Sequence, residues 1–507
     1  MLSRTSILFC ALLILASGCT KNGRLEDIEA GKYYVTEMKG KPVFFLLDEM
    51  DGGKGSGHYY LADGGEEAAP VAFSVKENRR KVIIAVDETA YRFKRTDLSF
   101  KPYVEPEFTP AETRLYREPF CDVKTTEDIV FGHVKGYWDS LPGVEADVTK
   151  AFTEGYTRSF RHHNIKLTLD LYRPAEATGP RPLILFIHGG AFYVGDKQEP
   201  AYIDFCRYFT SLGYVTASIN YRMGFHAGKG EIERAGYVAL QDAHAALRFL
   251  VSKADEYGID TTEIYAAGSS AGAITALNLA FMTEESRPKS SHGAKGIFNG
   301  EDLGAIDASG NDIKADFHIR AVANMWGAVS SLDILKNSST DIISFHGEED
   351  NIVPYADGYP FSSAGRLISQ SLSDPMYGSL CIDSTATLLG LRSEFYSFPD
   401  KGHAFNTTGK DKQPNSLHMV IRDQIKNFFY TEMVPEQARI MNDGEGWYSL
   451  SVPVATASWK AEGGFIISSD SSSDVQVLWR SDVPGHKLTA TGTYGNGIGY
   501  ITASGAV

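Results

Sequence analysis

From Lys32 to about Phe100, apolar and polar positions alternate with a period of two, through Tyr33 to Thr36, Val43 to Leu47, Tyr59 to Leu61, Val71 to Val75 and Lys81 to Val86. Successive side chains of a strand face opposite ways, so this stretch predicts a small antiparallel all-β module over 28–103, with turns at the glycine clusters 52–57 and 64–65. Pro102, Pro106 and Pro110 punctuate a linker. Beyond it the alternation gives way to solid apolar runs at 183–187, 214–219, 263–267, 319–327, 342–346 and 394–398. Such runs suit strands buried on both faces. Helical spacing separates them, over Gly236 to Ser252 and Asn415 to Tyr430 among others. Strand alternating with helix predicts an α/β domain over 107–432, its mostly parallel sheet covered by helices. After Met433 short alternating runs return, at 447–452, 457–461, 464–467, 475–479, 487–491 and 499–503. They predict a β-sandwich over 434–507. Two polar stretches, 283–317 and 356–390, are long enough to cover a site between the elements they join.

Composition narrows the functional classes. A chain of 507 residues exceeds one typical domain, and 43% hydrophobic residues suffice for several packed cores. The formal net charge is −15 and no basic block stands out, which argues against nucleic acid as a partner. The first 18 residues read as a signal peptide: Arg4, then the apolar Ile7 to Ala16, then small residues up to Gly18. That apolar core is too short for a stable membrane span. Cys19, directly after Gly18, resembles a bacterial lipoprotein acylation site. Leu15 lies one place further from it than in the usual motif, which leaves ordinary cleavage open. Acylation would make a lipid anchor the only membrane attachment. Cys121, Cys206 and Cys381 then remain, with no zinc-like spacing and no implied disulfide. No H-E-x-x-H or comparable cluster occurs, so neither a metal nor a cofactor is expected.

The chemistry concentrates at strand ends. Gly268-Ser269-Ser270-Ala271-Gly272 follows one apolar run and leads into a helical pattern, the setting in which a G-x-S-x-G serine is exposed on a sharp turn. A serine there is read either as a helix cap or as a nucleophile. Upstream, Pro182 to Ile187 ends in His188-Gly189-Gly190-Ala191-Phe192, a glycine-rich loop able to turn backbone N–H groups toward an oxyanion. Downstream, Asp341 to Phe345 ends in the acidic turn His346-Gly347-Glu348-Glu349-Asp350, and Ser393 to Phe398 leads to the loop bearing His403. A serine hydroxyl needs a base, and a histidine with an ordinary pKa near ~6.5 can take its proton and return it.

Serine, acid and histidine in that order are the α/β-hydrolase arrangement. From about 107 to 430 the chain resembles an α/β-hydrolase of the carboxylesterase and lipase superfamily. The motifs carrying this are His188 to Phe192, Asn220-Tyr221-Arg222, the helix around Asp242, Gly347 to Pro354 and Gly402-His403-Ala404-Phe405. Ser269 stands where cholinesterase-type relatives carry Glu and many hormone-sensitive-lipase-type relatives carry Asp. This favours the bacterial group resembling feruloyl and acetylxylan esterases. The resemblance implies Ser270 as nucleophile, His403 as base and Asp350 as acid, with Glu348 and Glu349 as neighbouring carboxylates able to substitute. It also implies an oxyanion hole of Gly190, Ala191 and Ala271, with Gly189 as donor or hinge. His188 and His346 compete with His403 as histidines at strand ends, and Phe192, Tyr377 and Ser379 are candidate pocket residues. The stretch from Tyr448 to Tyr494 resembles a PKD-like immunoglobulin-type module. An ester, small or on a glycan, is the substrate this reading expects. A peptidase of the prolyl-oligopeptidase type and a non-catalytic surface-binding lipoprotein are the other readings.

Overall fold

In the computed structural model of the chain, the described residues are 29–38, 41–51, 53–61, 67–77, 81–86, 89–94, 101–106, 108, 115–137, 163–176, 179–225, 228–293, 301–336, 338–434, 438–468, 473–494 and 500–506. The stretch read as a signal peptide and Cys19 lie outside them. The chain divides into two compact units, 114–435 and a second made of 1–113 with 436–507.

The first unit is built on one eight-stranded sheet. Its strands are β1 (Val123–Gly136), β2 (His163–Pro174), β3 (Arg181–Ile187), β4 (Val215–Ile219), β5 (Ile259–Ser269), β6 (Ile319–Met325), β7 (Asp341–Gly347) and β8 (Ser393–Phe398). The spatial order is β1-β2-β4-β3-β5-β6-β7-β8. From β4 to β8 every pairing is parallel, and β2 runs antiparallel to both of its neighbours. The apolar runs explain the middle of the sheet. Leu183 to Ile187 are fully buried, and Leu185 pairs with Ala217 on one side and Ala266 on the other. A strand so enclosed has no polar face to show, which is why its sequence does not alternate. The edge strand β1 is mixed instead, with exposed Thr126 to Asp128 and Val130 before buried Phe131.

Helices α1 (Pro200–Ser211), α2 (Glu231–Ser252), α3 (Ala271–Phe281), α4 (Arg366–Leu372), α5 (Ser379–Leu388) and α6 (Ser416–Met433) join the strands. Helix α2 begins at Glu231, earlier than the spacing from Gly236 implied, with Glu231 and Glu233 in its first turn, where carboxylates suit the helix dipole. Asn415 caps α6 by accepting from the N–H of Leu417 at 2.9 Å and of His418 at 3.2 Å. The described part of the stretch 283–317 lies along α2 and β1: Tyr237 and Gln241 donate to Gly304, Leu303 and Ala305, and Asn311 donates to Phe131 O and Ala245 O. Residues 356–390 supply α4, α5 and the strand Met376–Gly378, which pairs with Ala328–Val329 and Asp357–Gly358.

Among the described residues of the second unit the regular elements are all strands. Its seven-stranded sheet comes from the N-terminal part, and a five-stranded and a three-stranded sheet hold the C-terminal strands. The flanking stretches, expected above as separate modules, share this unit. Glu67–Ala68 pairs in parallel with Trp479–Arg480, and Phe44 stacks on Phe465 at 4.3 Å, in a cluster with Tyr60, Ala68 and Leu478. Each stretch leaves an aromatic face that the other covers.

Among the described residues no helix is long and apolar enough to cross a membrane, and no group of three or more His, Cys, Asp or Glu side chains is placed to hold a metal ion. Cys206 is buried, Cys121 and Cys381 are half-buried, and none of the three is bonded to another.

Candidate active site

Ser270 follows the last residue of β5 with φ 54 and ψ −122. A non-glycine residue held there costs on the order of 1–3 kcal/mol, so the surroundings must enforce it. They do so through the backbone: Ser270 N–H donates to Met325 O and Ile274 N–H donates to Ser270 O, both at 2.9 Å. Gly272 permits the turn, since a Cβ there would fall 2.0 Å from Ile187 O. Although Ser270 occupies the cap position of α3, its side chain makes no capping bond. Its Oγ instead lies 2.8 Å from His403 Nε2.

The loop bearing His403 follows β8 and is wedged by aromatic rings. Trp326 lies 4.9 Å from Phe405 and 6.5 Å from the imidazole, and Phe405 lies 4.7 Å from Phe398. The other ring nitrogen, Nδ1, donates to Asp350 Oδ2 at 2.6 Å. Asp350 Oδ1 accepts from the N–H of Ile352 at 2.8 Å and of Val353 at 3.0 Å. Burial works to raise the pKa of this carboxyl, but hydrogen bonds from His346 and His403 and the field of His403 outweigh it and hold it well below the ordinary range. Glu348 and Glu349 are exposed, and Glu348 accepts from Ser397 at 2.6 Å. Of the three carboxylates in this turn, Asp350 alone meets His403.

The loop after β3 crosses in front of this group. Gly190, Ala191 and Phe192 have φ of 111, 54 and 58 in succession. At Gly190 a Cβ would lie 1.9 Å from Val194 O, so no other residue fits. Its carbonyl accepts from Tyr193 at 2.9 Å and Val194 at 3.0 Å. Among the described residues the N–H groups of Gly190 and Ala191 meet no acceptor. The N–H of Ala271, at the first position of α3, has none within its helix. His188 shapes this loop from beneath. Its Nδ1 lies 2.7 Å from Gly189 O, its ring stacks on Tyr221 at 4.5 Å, and the Tyr221 hydroxyl donates to His188 O at 2.8 Å. Burial pushes the His188 pKa down, against the field of Glu199.

The arrangement includes residues that sequence spacing did not single out. Tyr202 of α1, fully buried, has its hydroxyl 2.7 Å from Ser269 Oγ, and the amides of Ser269 and Gly189 also bear on it. It links the turn under Ser270 to the loop of Gly190. Arg222 and Asp242, both in motifs read from the sequence, do pair: Asp242 accepts from the backbone N–H and the guanidinium of Arg222 at 2.7 Å, fixing the segment that carries Tyr221. Of the candidate pocket residues, Phe192 lines a cavity of about 20 Å³ with Gly236, Ile274, Asn278 and Met376, while Ser379 turns away toward His346.

Comparison with known proteins points the same way over part of the chain. A family model described as BD-FAE matches residues 169–340, a stretch that contains Gly190, Ala191 and Ser270 and stops short of Asp350. Gut esterase 1 of Caenorhabditis elegans is 32% identical over 127 residues, 24% of this chain and 22% of that protein. The para-nitrobenzyl esterase of Bacillus subtilis is 27% identical over 147 residues, 28% of each. The chain thus spans about a quarter of the length of the curated relatives it matches. Among solved structures, esterase 2 of Thermogutta terrifontis phosphorylated by paraoxon is similar at 20% identity and a TM-score of 0.37, over 53% of this chain and 89% of that one.

Proposed function

We propose that the chain is a serine carboxylic ester hydrolase of the α/β-hydrolase type, acting through an acyl-enzyme. One observation carries the reading: Ser270 Oγ, free of any capping bond, sits 2.8 Å from an imidazole whose far nitrogen is held by a buried carboxylate. Ser270 Oγ attacks the ester carbonyl while His403 Nε2 takes its proton. Asp350 keeps Nδ1 protonated and stabilises the imidazolium. The N–H groups of Gly190, Ala191 and Ala271 receive the negative charge that develops on the carbonyl oxygen, and each such donor contributes roughly 10²–10³ in rate. Collapse of the tetrahedral species expels the alcohol, which takes the proton from His403. Water then repeats the sequence and releases the acid. The local likeness to proteins named as esterases supports ester over amide as the bond cleaved.

An acetyl or feruloyl ester on a polysaccharide is the substrate class proposed. The resemblance of the Ser270 and His188 to Phe192 motifs to those of feruloyl and acetylxylan esterases supports this class. Export with acylation at Cys19 is proposed from the order of charge, apolar core and small residues before it.

The test is hydrolysis of p-nitrophenyl acetate against a prolyl p-nitroanilide, together with labelling by a fluorophosphonate. Turnover of the ester and a single label on Ser270 are expected, and Ser270→Ala should lower kcat at least about 10⁴-fold. Anilide turnover faster than ester turnover would favour a peptidase. An unlabelled, inert protein would leave only a binding role.

A further inference from the structure

Asp350 is approached by a second imidazole, and a chain of buried groups behind it fixes which way every proton points. Asn324, Ser379 and His346 are all fully buried. Gly327 N–H donates to Asn324 Oδ1 at 2.8 Å, which identifies the other end of that amide as the NH2. Asn324 Nδ2 donates to Ser379 Oγ and to Ser344 Oγ, each at 3.0 Å. With its oxygen receiving that proton, the Ser379 hydroxyl donates its own to His346 Nδ1, 2.8 Å away. Nδ1 is therefore the bare nitrogen, and Nε2 carries the hydrogen. Nε2 hydrogen-bonds to Val353 O at 3.4 Å and lies 3.2 Å from Asp350 Oδ2.

The donors around Asp350 divide between its two oxygens. Oδ1 accepts from the amides of Ile352 and Val353, and Oδ2 accepts from His403 Nδ1. The Nε2–H of His346 lies between Oδ2 and Val353 O. We infer that His346 is a positioning residue for the reaction: its Nε2–H, oriented through Asn324 and Ser379, is shared between Val353 O and Asp350 Oδ2, ties the carboxylate to its own turn and holds Oδ2 on His403. This rests on the serine hydrolase reading above. It adds to that reading a histidine that never touches substrate.

The effect on the base has a definite sign. A carboxylate oxygen that faces two imidazole N–H groups shares its charge between them. Remove His346 and the charge concentrates on the remaining imidazole, which then holds its second proton more tightly. The other titratable groups facing this pair are few. Tyr355 lies edge-on to His346 at 5.7 Å with its hydroxyl on Ser397, and Glu348 accepts from that same serine.

Two isosteric amides separate the nitrogens. In the full chain, His346→Gln places an NH2 near the former Nε2 and keeps a donor on Asp350. His346→Asn can reach only Ser379. With p-nitrophenyl acetate from pH 5 to 9, His346→Asn should lower kcat about tenfold at nearly unchanged KM and move the acid limb upward by roughly half to one pH unit. His346→Gln should restore both most of the way. Equal effects of the two variants, or two unaltered profiles, would overturn the inference. Should either fail to fold, Ser379→Ala leaves the ring in place and frees its tautomer; a smaller shift in the same direction is expected, and an unaltered profile counts against the proposal. A proton NMR spectrum provides a readout independent of turnover. The wild-type protein should show two downfield imidazole N–H resonances, one lost in His346→Asn and retained in His346→Gln. Finding only one in the wild type sinks the positioning role. Two resonances in a protein inert to esters would instead sink the hydrolase reading alone.

Discussion

Ser270 is held by its backbone and freed at its side chain, so its loss and that of His403 should not add. Ser270→Ala and His403→Ala are each expected to remove nearly all turnover, and the double variant should be little worse than either single one, measured as kcat on p-nitrophenyl acetate. Losses that multiply would mean the two act separately. A milder outcome is expected at Tyr202. Tyr202→Phe removes the 2.7 Å bond to Ser269 Oγ but keeps the ring. The turn under Ser270 loosens against the loop of Gly190, and kcat should fall roughly 3- to 10-fold, the worth of about one hydrogen bond. An unchanged kcat would make Tyr202 a packing residue only. This scale also marks the limit of what the sequence discloses. Ser270, Asp350 and His403 stand in motifs whose local turn chemistry is written in adjacent residues. Tyr202 acts across the fold, on Ser269 at another strand end. Asp350 stands four residues from His346, but the Ser379 that orients that ring comes from helix α5, so neighbouring residues in the chain do not record it.

The strands of the sheet's centre were legible because burial on both faces leaves no polar position, as in Leu183 to Ile187. The edge was harder to read. In β1, exposed Thr126, Glu127 and Asp128 interrupt the apolar positions because solvent bathes one side. The closing helix α6 carries a property that no pattern announces. At its C-terminal end Glu432 meets Arg392 at 2.5 Å and lies against Asp341 at the start of β7. Burial, then the neighbouring Asp341 carboxylate, raise the Glu432 pKa to about 7, against the pull of Arg392. The folded state thus binds a proton between the ordinary glutamate range and about 7 that the unfolded chain releases. That contribution is complete at acid pH and lost as pH rises through about 7. The melting temperature of the wild type should accordingly fall more steeply from pH 5 to 8 than that of Glu432→Gln, whose side chain cannot ionise. Parallel curves would contradict the assignment.

At the scale of the molecule, the two units predict different responses to shortening. A fragment of residues 114–435 contains all eight strands of the main sheet and Ser270, Asp350 and His403. It should fold and hydrolyse p-nitrophenyl acetate at a rate within a few-fold of the full chain, since a unit with its own core tolerates separation. A soluble fragment with a large loss in kcat/KM would show that the second unit completes the site. Removing only 436–507 should be worse than removing both ends, because it takes Phe465 and Leu478 from Phe44 and Tyr60 and bares an aromatic face. The sequence marked these ends as β-rich but kept them apart, since pairing across more than four hundred residues leaves no local trace. That separation has a consequence during biosynthesis. Strands near Phe44 leave the ribosome first, and at about 5–20 residues per second their partners near Phe465 follow only after tens of seconds. Meanwhile the early strands hold an unfinished surface that chaperones and proteases can recognise. The segment made later is the one that hides it, so the early strands stay uncovered until translation has passed Leu478.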